Sequence, residues 1–190
     1  MKKRFLTSLQ LLICLLCAFP CSTVYGSQNQ PFPAGSQLPQ FTLPAPDSQQ
    51  TLSYLGLRTM APYTISQLGA KLVLIEFLNA LGPHCHANAP VLNRLYNVVQ
   101  KDAALAKDVK IIGIAVGNSK TETVAYKKSF KVPFPVFPDE DSDIGNAVQV
   151  SETPTIVLVS NNGKVLTSHS GVIKDFDGLL KELREIHKKQ

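Results

Sequence analysis

Cysteine is scarce in this 190-residue chain. It has four, and three of them, Cys14, Cys17 and Cys21, lie near the N-terminus. Cys85 is the only thiol in the rest of the sequence. If the N-terminal leader is removed, no internal disulfide can form and one odd thiol remains. Charged residues are also few, 17% against 44% hydrophobic. That balance excludes global disorder and suffices for a packed core. The apolar run from Leu9 to Phe19 falls short of the roughly 20 residues of a comfortable membrane span. G-x-S-x-G, H-E-x-x-H and phosphate-loop patterns are missing. With no internal repeat and no second domain visible, the length suits one domain plus processing segments.

What is present begins with Lys2, Lys3 and Arg4 ahead of that apolar run. A positive segment followed by an apolar one has the form of a secretory signal. Val24-Tyr25-Gly26 places cleavage after Gly26, so residues 1–26 are expected to be a signal peptide and the protein to be exported, to a periplasm or the extracellular space. The alternative is an uncleaved anchor. Pro20 before Cys21 and Leu16 before Cys17 do not supply the small residue that lipidation requires. Cleavage lowers Lys+Arg from 19 to 16 against 14 acidic residues, taking the net charge from +5 to +2. The basic character then belongs mostly to the leader, and a nucleic-acid partner loses its support.

Residues 27–36 are polar and rich in Pro and Gly, a flexible lead-in to a domain over 37–190. Leu38 to Leu43 reads as a short edge strand, and Thr51 to Leu57 as a second short strand or hairpin. Leu72 to Leu78 is an apolar run interrupted only by Glu76, which suits a strand covered on both faces. Leu92, Leu95, Tyr96 and Val99 form the stripe of a following helix that contains Pro90. Val109 to Val116 is a second central strand. Ser119 and Glu122 make a capping box for a helix to about Phe130. Pro133 to Pro138 holds at most a short strand. Thr155 to Ser160 and Val165 to Ser170 pair antiparallel through Asn161-Asn162-Gly163-Lys164. A last helix starts near Asp175.

Leu72 to Tyr96 places a strand ending in Phe77 ahead of Gly82-Pro83-His84-Cys85 and a helix. This resembles the active-site segment of the thioredoxin superfamily, with G-P-H-C in place of C-x-x-C. Gly35 to Leu43, as G-x-x-L-P-x-F-T-L, resembles the opening of its redoxin (thiol-disulfide and peroxiredoxin-like) branch. Tyr63 to Gly69 resembles the short helical turn of that family ahead of the central strand. The resemblance covers roughly residues 35 to 188. It implies an α/β thioredoxin-like fold, a central mixed sheet flanked by helices, with an N-terminal extension.

Cys85 matches the second, resolving cysteine of the family, and Gly82 occupies the place of the exposed attacking one. The thiol is either a working nucleophile, made more exposed by the bare Gly82, or a buried inert residue. His84 resembles the histidine that stabilises the first thiolate in periplasmic disulfide-forming oxidoreductases; the alternative is a solvated residue in the first helical turn. Glu76 is a carboxylate within an apolar strand and is costly there unless partnered or protonated. It matches the buried acid that assists proton transfer at the second cysteine, or else it reaches water at the strand end. Thr153-Pro154 matches the cis-proline loop, whose backbone pairs with substrate peptide. Pro83, Gly82, Thr153 and Pro154 are thus the expected substrate-binding residues.

Three adjacent residues, His84, Cys85 and His86, point in different directions on a helix and do not converge on a metal, and His169 is distant in sequence. Asp139, Asp141 and Asp143 begin like a calcium loop, but Ile144 and Val150 stand where Gly and Glu are needed. They read as a solvated acidic patch. No cofactor and no metal is expected. The leading functional expectation is thiol-disulfide exchange through Cys85 with an external resolving thiol, acting on protein or small-molecule thiols and disulfides. Two alternatives stay open. One is a non-catalytic peptide-binding module. The other is a one-cysteine peroxidase with antioxidant activity, although the threonine of the peroxiredoxin motif is absent. A dimer bridged through Cys85 is a further possibility.

Overall fold

The strand Leu72–Leu78 (β1) forms the middle of a five-stranded sheet in the computed structural model, which describes residues 31–190. The expected leader, its three cysteines and the start of the lead-in lie outside the described residues. Every residue of β1 is buried, because strands flank it on both sides and helices or loops cover both faces. Val109–Val116 (β2) runs parallel to β1, with Leu72 opposite Val109 and Leu78 opposite Ala115. Val136–Asp139 (β3) runs parallel to β2 at the edge. On the other side Thr155–Ser160 (β4) is antiparallel to β1, and Val165–Ser170 (β5) is antiparallel to β4. The spatial order is β3-β2-β1-β4-β5. This is the mixed sheet expected from the sequence.

Side chains alternate along a strand, so Leu72, Leu74, Glu76 and Leu78 share one face of β1. Val73, Ile75 and Phe77 share the other. The first face carries Pro83–Lys101 (α2), Lys120–Phe130 (α4) and Phe176–His187 (α6). Leu92, Leu95, Val99, Tyr126 and Leu183 pack there. The second face carries the N-terminal extension and Asp143–Ala147 (α5), through Phe41, Leu43, Leu55, Tyr63 and Ile144. Glu76 therefore faces the helices, among leucines.

Three expectations need correction. Leu38 to Leu43 is not a strand; only isolated bridges join Gln37 to Lys164 and Leu43 to Tyr63. Residues 49–55 form a helix, Gln49–Leu55 (α1), not a strand or hairpin. Its start is fixed by Ser48, whose hydroxyl accepts from Thr51 N–H at 3.1 Å. Its end is fixed by Gly56 at φ +68°, packed so close to Gly69 that a Cβ would lie 2.8 Å from the Gly69 Cα. The lead-in is not free over residues 31–36. Phe32 N–H donates to Ser168 Oγ and Ser168 Oγ donates to Phe32 O, while Gly35 N–H reaches Val165 O at 2.8 Å. A short helix with no counterpart in the sequence reading, Ala103–Asp108 (α3), begins where Asp102 accepts from Ala104 N–H and Leu105 N–H.

Candidate active site

The turn from β1 into α2 is built by a short set of hydrogen bonds. Asn79 O accepts from Gly82 N–H at 3.0 Å, and Asn79 Oδ1 accepts from Leu81 N–H at 2.9 Å. Ala80 N–H donates to Asn118 Oδ1 at 2.8 Å, tying the turn to the loop after β2. Gly82 caps α2 with ordinary angles, φ −78° and ψ 125°, and Pro83 takes the first helical position, where its missing N–H costs nothing. Helical spacing then turns Cys85, Asn88, Ala89, Leu92, Leu95 and Val99 toward the sheet.

Cys85 is fully buried, 0% exposed. The bare Gly82 does not uncover it, so the expectation of greater exposure fails. Its sulfur accepts from Asn79 N–H at 3.2 Å, and the Thr153 side chain lies near enough to act on its titration. Burial pushes the thiol up from its ordinary value. Asn79 and Thr153 oppose the rise, and the negative charge of Glu76 adds to it. A Cys85-linked dimer has no support here, since the folded protein does not present the sulfur to a second copy.

Beneath the thiol lies a polar cluster in an otherwise apolar layer. Glu76 is 0% exposed, so the carboxylate does not reach water at the strand end. Its Oε1 accepts from Asn88 Nδ2 at 2.8 Å, and its Oε2 is buried with no partner among the described residues. Burial raises this carboxyl to about 7, with the Asn88 bond working against the rise. Asn88 Oδ1 in turn accepts from Ile173 N–H at 3.2 Å, linking α2 to the segment after β5. Tyr126 of α4 is 3% exposed. Its phenol is pushed up by burial and by the charges of Glu76 and Cys85, which places all three groups within electrostatic reach of one another.

Thr153-Pro154 is a cis peptide, and its loop brings the Thr153 side chain near the Cys85 sulfur. Glu76, Cys85, Gly82 and Thr153-Pro154 thus come together as the sequence suggested. His84 does not join them: it is exposed in the first turn of α2 and is not among the groups acting on the sulfur. His86 turns away, donating from Nε2 to Ala80 O at 2.8 Å and stacking on Phe130 at 4.5 Å between ring centres. Among the described residues no cluster of three His, Cys, Asp or Glu could hold a metal. Asp139 is not part of a solvated patch; it is buried and accepts from Ile144 N–H and Gly145 N–H at the start of α5. Sequence reasoning missed Asn88 and Tyr126. The signal for Asn88 was its place on the apolar stripe of α2, three residues after Cys85; Tyr126 gave none.

A family model described as thioredoxin-like matches residues 69–165. The curated thiol-disulfide oxidoreductase ResA of Bacillus subtilis is 26% identical over 188 residues, covering 95% of this chain and 95% of that protein. The thioredoxin domain of a thiol-disulfide oxidoreductase from Bacteroides vulgatus superposes with TM-score 0.61 at 18% identity, covering 82% of this chain and 98% of that one. Peroxidoxin BcpB of Mycobacterium tuberculosis superposes with TM-score 0.59 at 18% identity, covering 80% and 97%. These last two likenesses concern the fold. They do not choose between exchange and peroxide chemistry.

Proposed function

Since the chain belongs to the thioredoxin-like family, we propose that it carries out thiol-disulfide exchange through Cys85 alone, with an external thiol completing each cycle. The observation that carries this reading is Glu76. A fully buried carboxyl with one oxygen unpartnered lowers stability and has no packing role that an apolar residue would not fill better. Held at about 7, it is poised to take and return a proton near neutral pH. The curated similarity to thiol-disulfide oxidoreductases points the same way.

The chemistry balances as two exchanges. The Cys85 thiol gives its proton to the Glu76 carboxylate and its sulfur attacks a partner disulfide. A Cys85–partner S–S bond forms and the other partner sulfur leaves as thiolate. An external thiolate then attacks the partner sulfur of that mixed disulfide. Cys85 departs and recovers a proton from Glu76. Because the sulfur is buried, both exchanges require the Asn79–His84 turn to swing aside. Thr153 and Pro154, with Gly82 and Pro83, would form the cleft that receives the partner chain. Residues 1–26, read as a secretory leader, would carry this activity outside the cytoplasm; among the described residues no helix is long and apolar enough to cross a membrane.

The burial of Cys85 favours a second reading, a binding module that keeps the cleft and has no turnover. A one-cysteine peroxidase is the poorest fit, since it needs a stabilised thiolate and burial holds this thiol high. Incubation of the native protein with excess glutathione disulfide separates the readings. Exchange predicts a Cys85–glutathione adduct by intact mass, released by added thiol. If the adduct forms only after denaturation, the exchange reading fails.

A further inference from the structure

The outer edge of β3 ends the sheet. Pro135 O and Asp139 O turn inward, each accepting at 2.8 Å, from Gly113 N–H and Gly117 N–H respectively. Alternation along the strand turns the peptide groups of Val136 and Pro138 outward. Proline has no N–H, so Val136 offers both a donor and an acceptor at this edge. A groove of about 610 Å³ lies along it, between α4 on one side and the Pro44–Asp47 segment on the other. It shares no lining residue with the Cys85 turn or the cis-proline loop.

The chemistry of the groove is specific. Val136 and Phe137, both largely buried, line its floor, and Val124 on the wall is one of only three large apolar side chains exposed among the described residues. Lys120 and Lys128 are exposed on its α4 wall and take part in no ion pair among the described residues. Lys127, between them and half-buried, is within electrostatic reach of Asp47 across the groove. Lys120 and Lys128 are two turns apart, about 12 Å along the helix. An extended chain covers about 13 Å in four residues, and its side chains at i, i+2 and i+4 share one face. Val124 lies midway between the lysines.

We propose that this groove docks an extended segment of a partner polypeptide that adds to β3 as a short sixth strand. The segment carries carboxylates at i and i+4 around an apolar residue at i+2. The Val136 peptide group exchanges hydrogen bonds with the added strand, Lys120 and Lys128 meet the two acids, and the apolar residue covers Val124. The site is independent of the redox reading: occupying it leaves Cys85 untouched.

The test is a ¹⁵N-labelled protein titrated with acetyl-Glu-Thr-Val-Thr-Glu-amide, with acetyl-Lys-Thr-Val-Thr-Lys-amide as control. The acidic peptide is expected to give saturable shifts at the Val136 amide and along α4, weakening as salt rises. The double variant K120E/K128E, which changes two exposed side chains and keeps the fold, should lose about tenfold or more in affinity and should gain response to the basic peptide. Equal response to both peptides, or no saturable shift at Val136, overturns the proposal. Concentration-dependent self-association that perturbs the same amides without peptide also overturns it, and assigns the edge to a second copy of the chain.

Discussion

Replacing Glu76 with Gln removes one ionisable group from the buried face of the sheet and keeps its shape. In the folded protein burial raises this carboxyl from 4.5 to about 7; in the unfolded chain it titrates near its ordinary value. Below 4.5 both states hold the proton and the group has no effect on stability. Between 4.5 and about 7 the unfolded chain has released the proton and the folded one keeps it. Stability therefore falls as pH rises through this window and stays lowered above it. At about 1.4 kcal/mol per pH unit the full loss is about 3 kcal/mol. Gln at this position retains the oxygen that accepts from Asn88, and its amide takes the place of the unpartnered oxygen. Asp47 and Asp108 have lowered carboxyls, so their stabilisation is lost only as pH falls below the window. The difference between the two proteins then isolates Glu76. Urea unfolding should find them equally stable near pH 4.5, with the variant about 3 kcal/mol more stable near pH 8. Parallel stability curves across the window would refute the buried, proton-holding carboxyl.

Gly82→Cys should introduce a disulfide: an ideal Cβ at 82 lies 3.6 Å from Cys85 Sγ, the backbone angles there suit any residue, and only Asn79 O, 3.3 Å away, must give slightly. Thiol counting after mild oxidation should find no free thiol in the folded variant, and two alkylatable thiols would contradict the turn geometry. Asn88→Ala removes two buried hydrogen bonds and should cost about 2–4 kcal/mol in denaturant unfolding. It should also move the Glu76 titration further up, because the Asn88 bond opposes the effect of burial. His86→Ala loses the bond to Ala80 O and the stack on Phe130, about 1–2 kcal/mol. His84→Ala, at an exposed position, should stay within about 0.5 kcal/mol, and the reverse order in thermal melts would overturn the placement of the two rings.

β1, β2 and β4 were legible because burial on both faces forces a continuous apolar run, and β5, at the sheet edge and only partly buried, because the Asn161-Asn162-Gly163-Lys164 turn returns the chain antiparallel; all four occupy the expected residues. The single break in the β1 run, Glu76, was the clearest sign of a site. The capping box of Ser119 and Glu122 likewise set the start of α4. Helix α1 was hidden because its seven residues carry no helical stripe; a serine cap and the close approach of Gly56 to Gly69 decide it. The burial of Cys85 was not legible either. The sequence shows an empty position at Gly82, whereas the sulfur is covered by Asn79 and Thr153, brought in from before and far beyond the helix. Asn88 and Asp139 were obscured for a related reason. A polar residue looks solvated until the acceptor or donor that holds it inside is known.

The measurement closest to the central claim is the alkylation rate of Cys85 against pH in the native protein, with Glu76→Gln alongside. Exchange through a thiol coupled to a buried acid predicts reaction without global unfolding and a pH profile that changes when Glu76 is replaced. A thiol that reacts only at the rate of unfolding, with the same profile in both proteins, would contradict it and leave the cleft as a binding site alone.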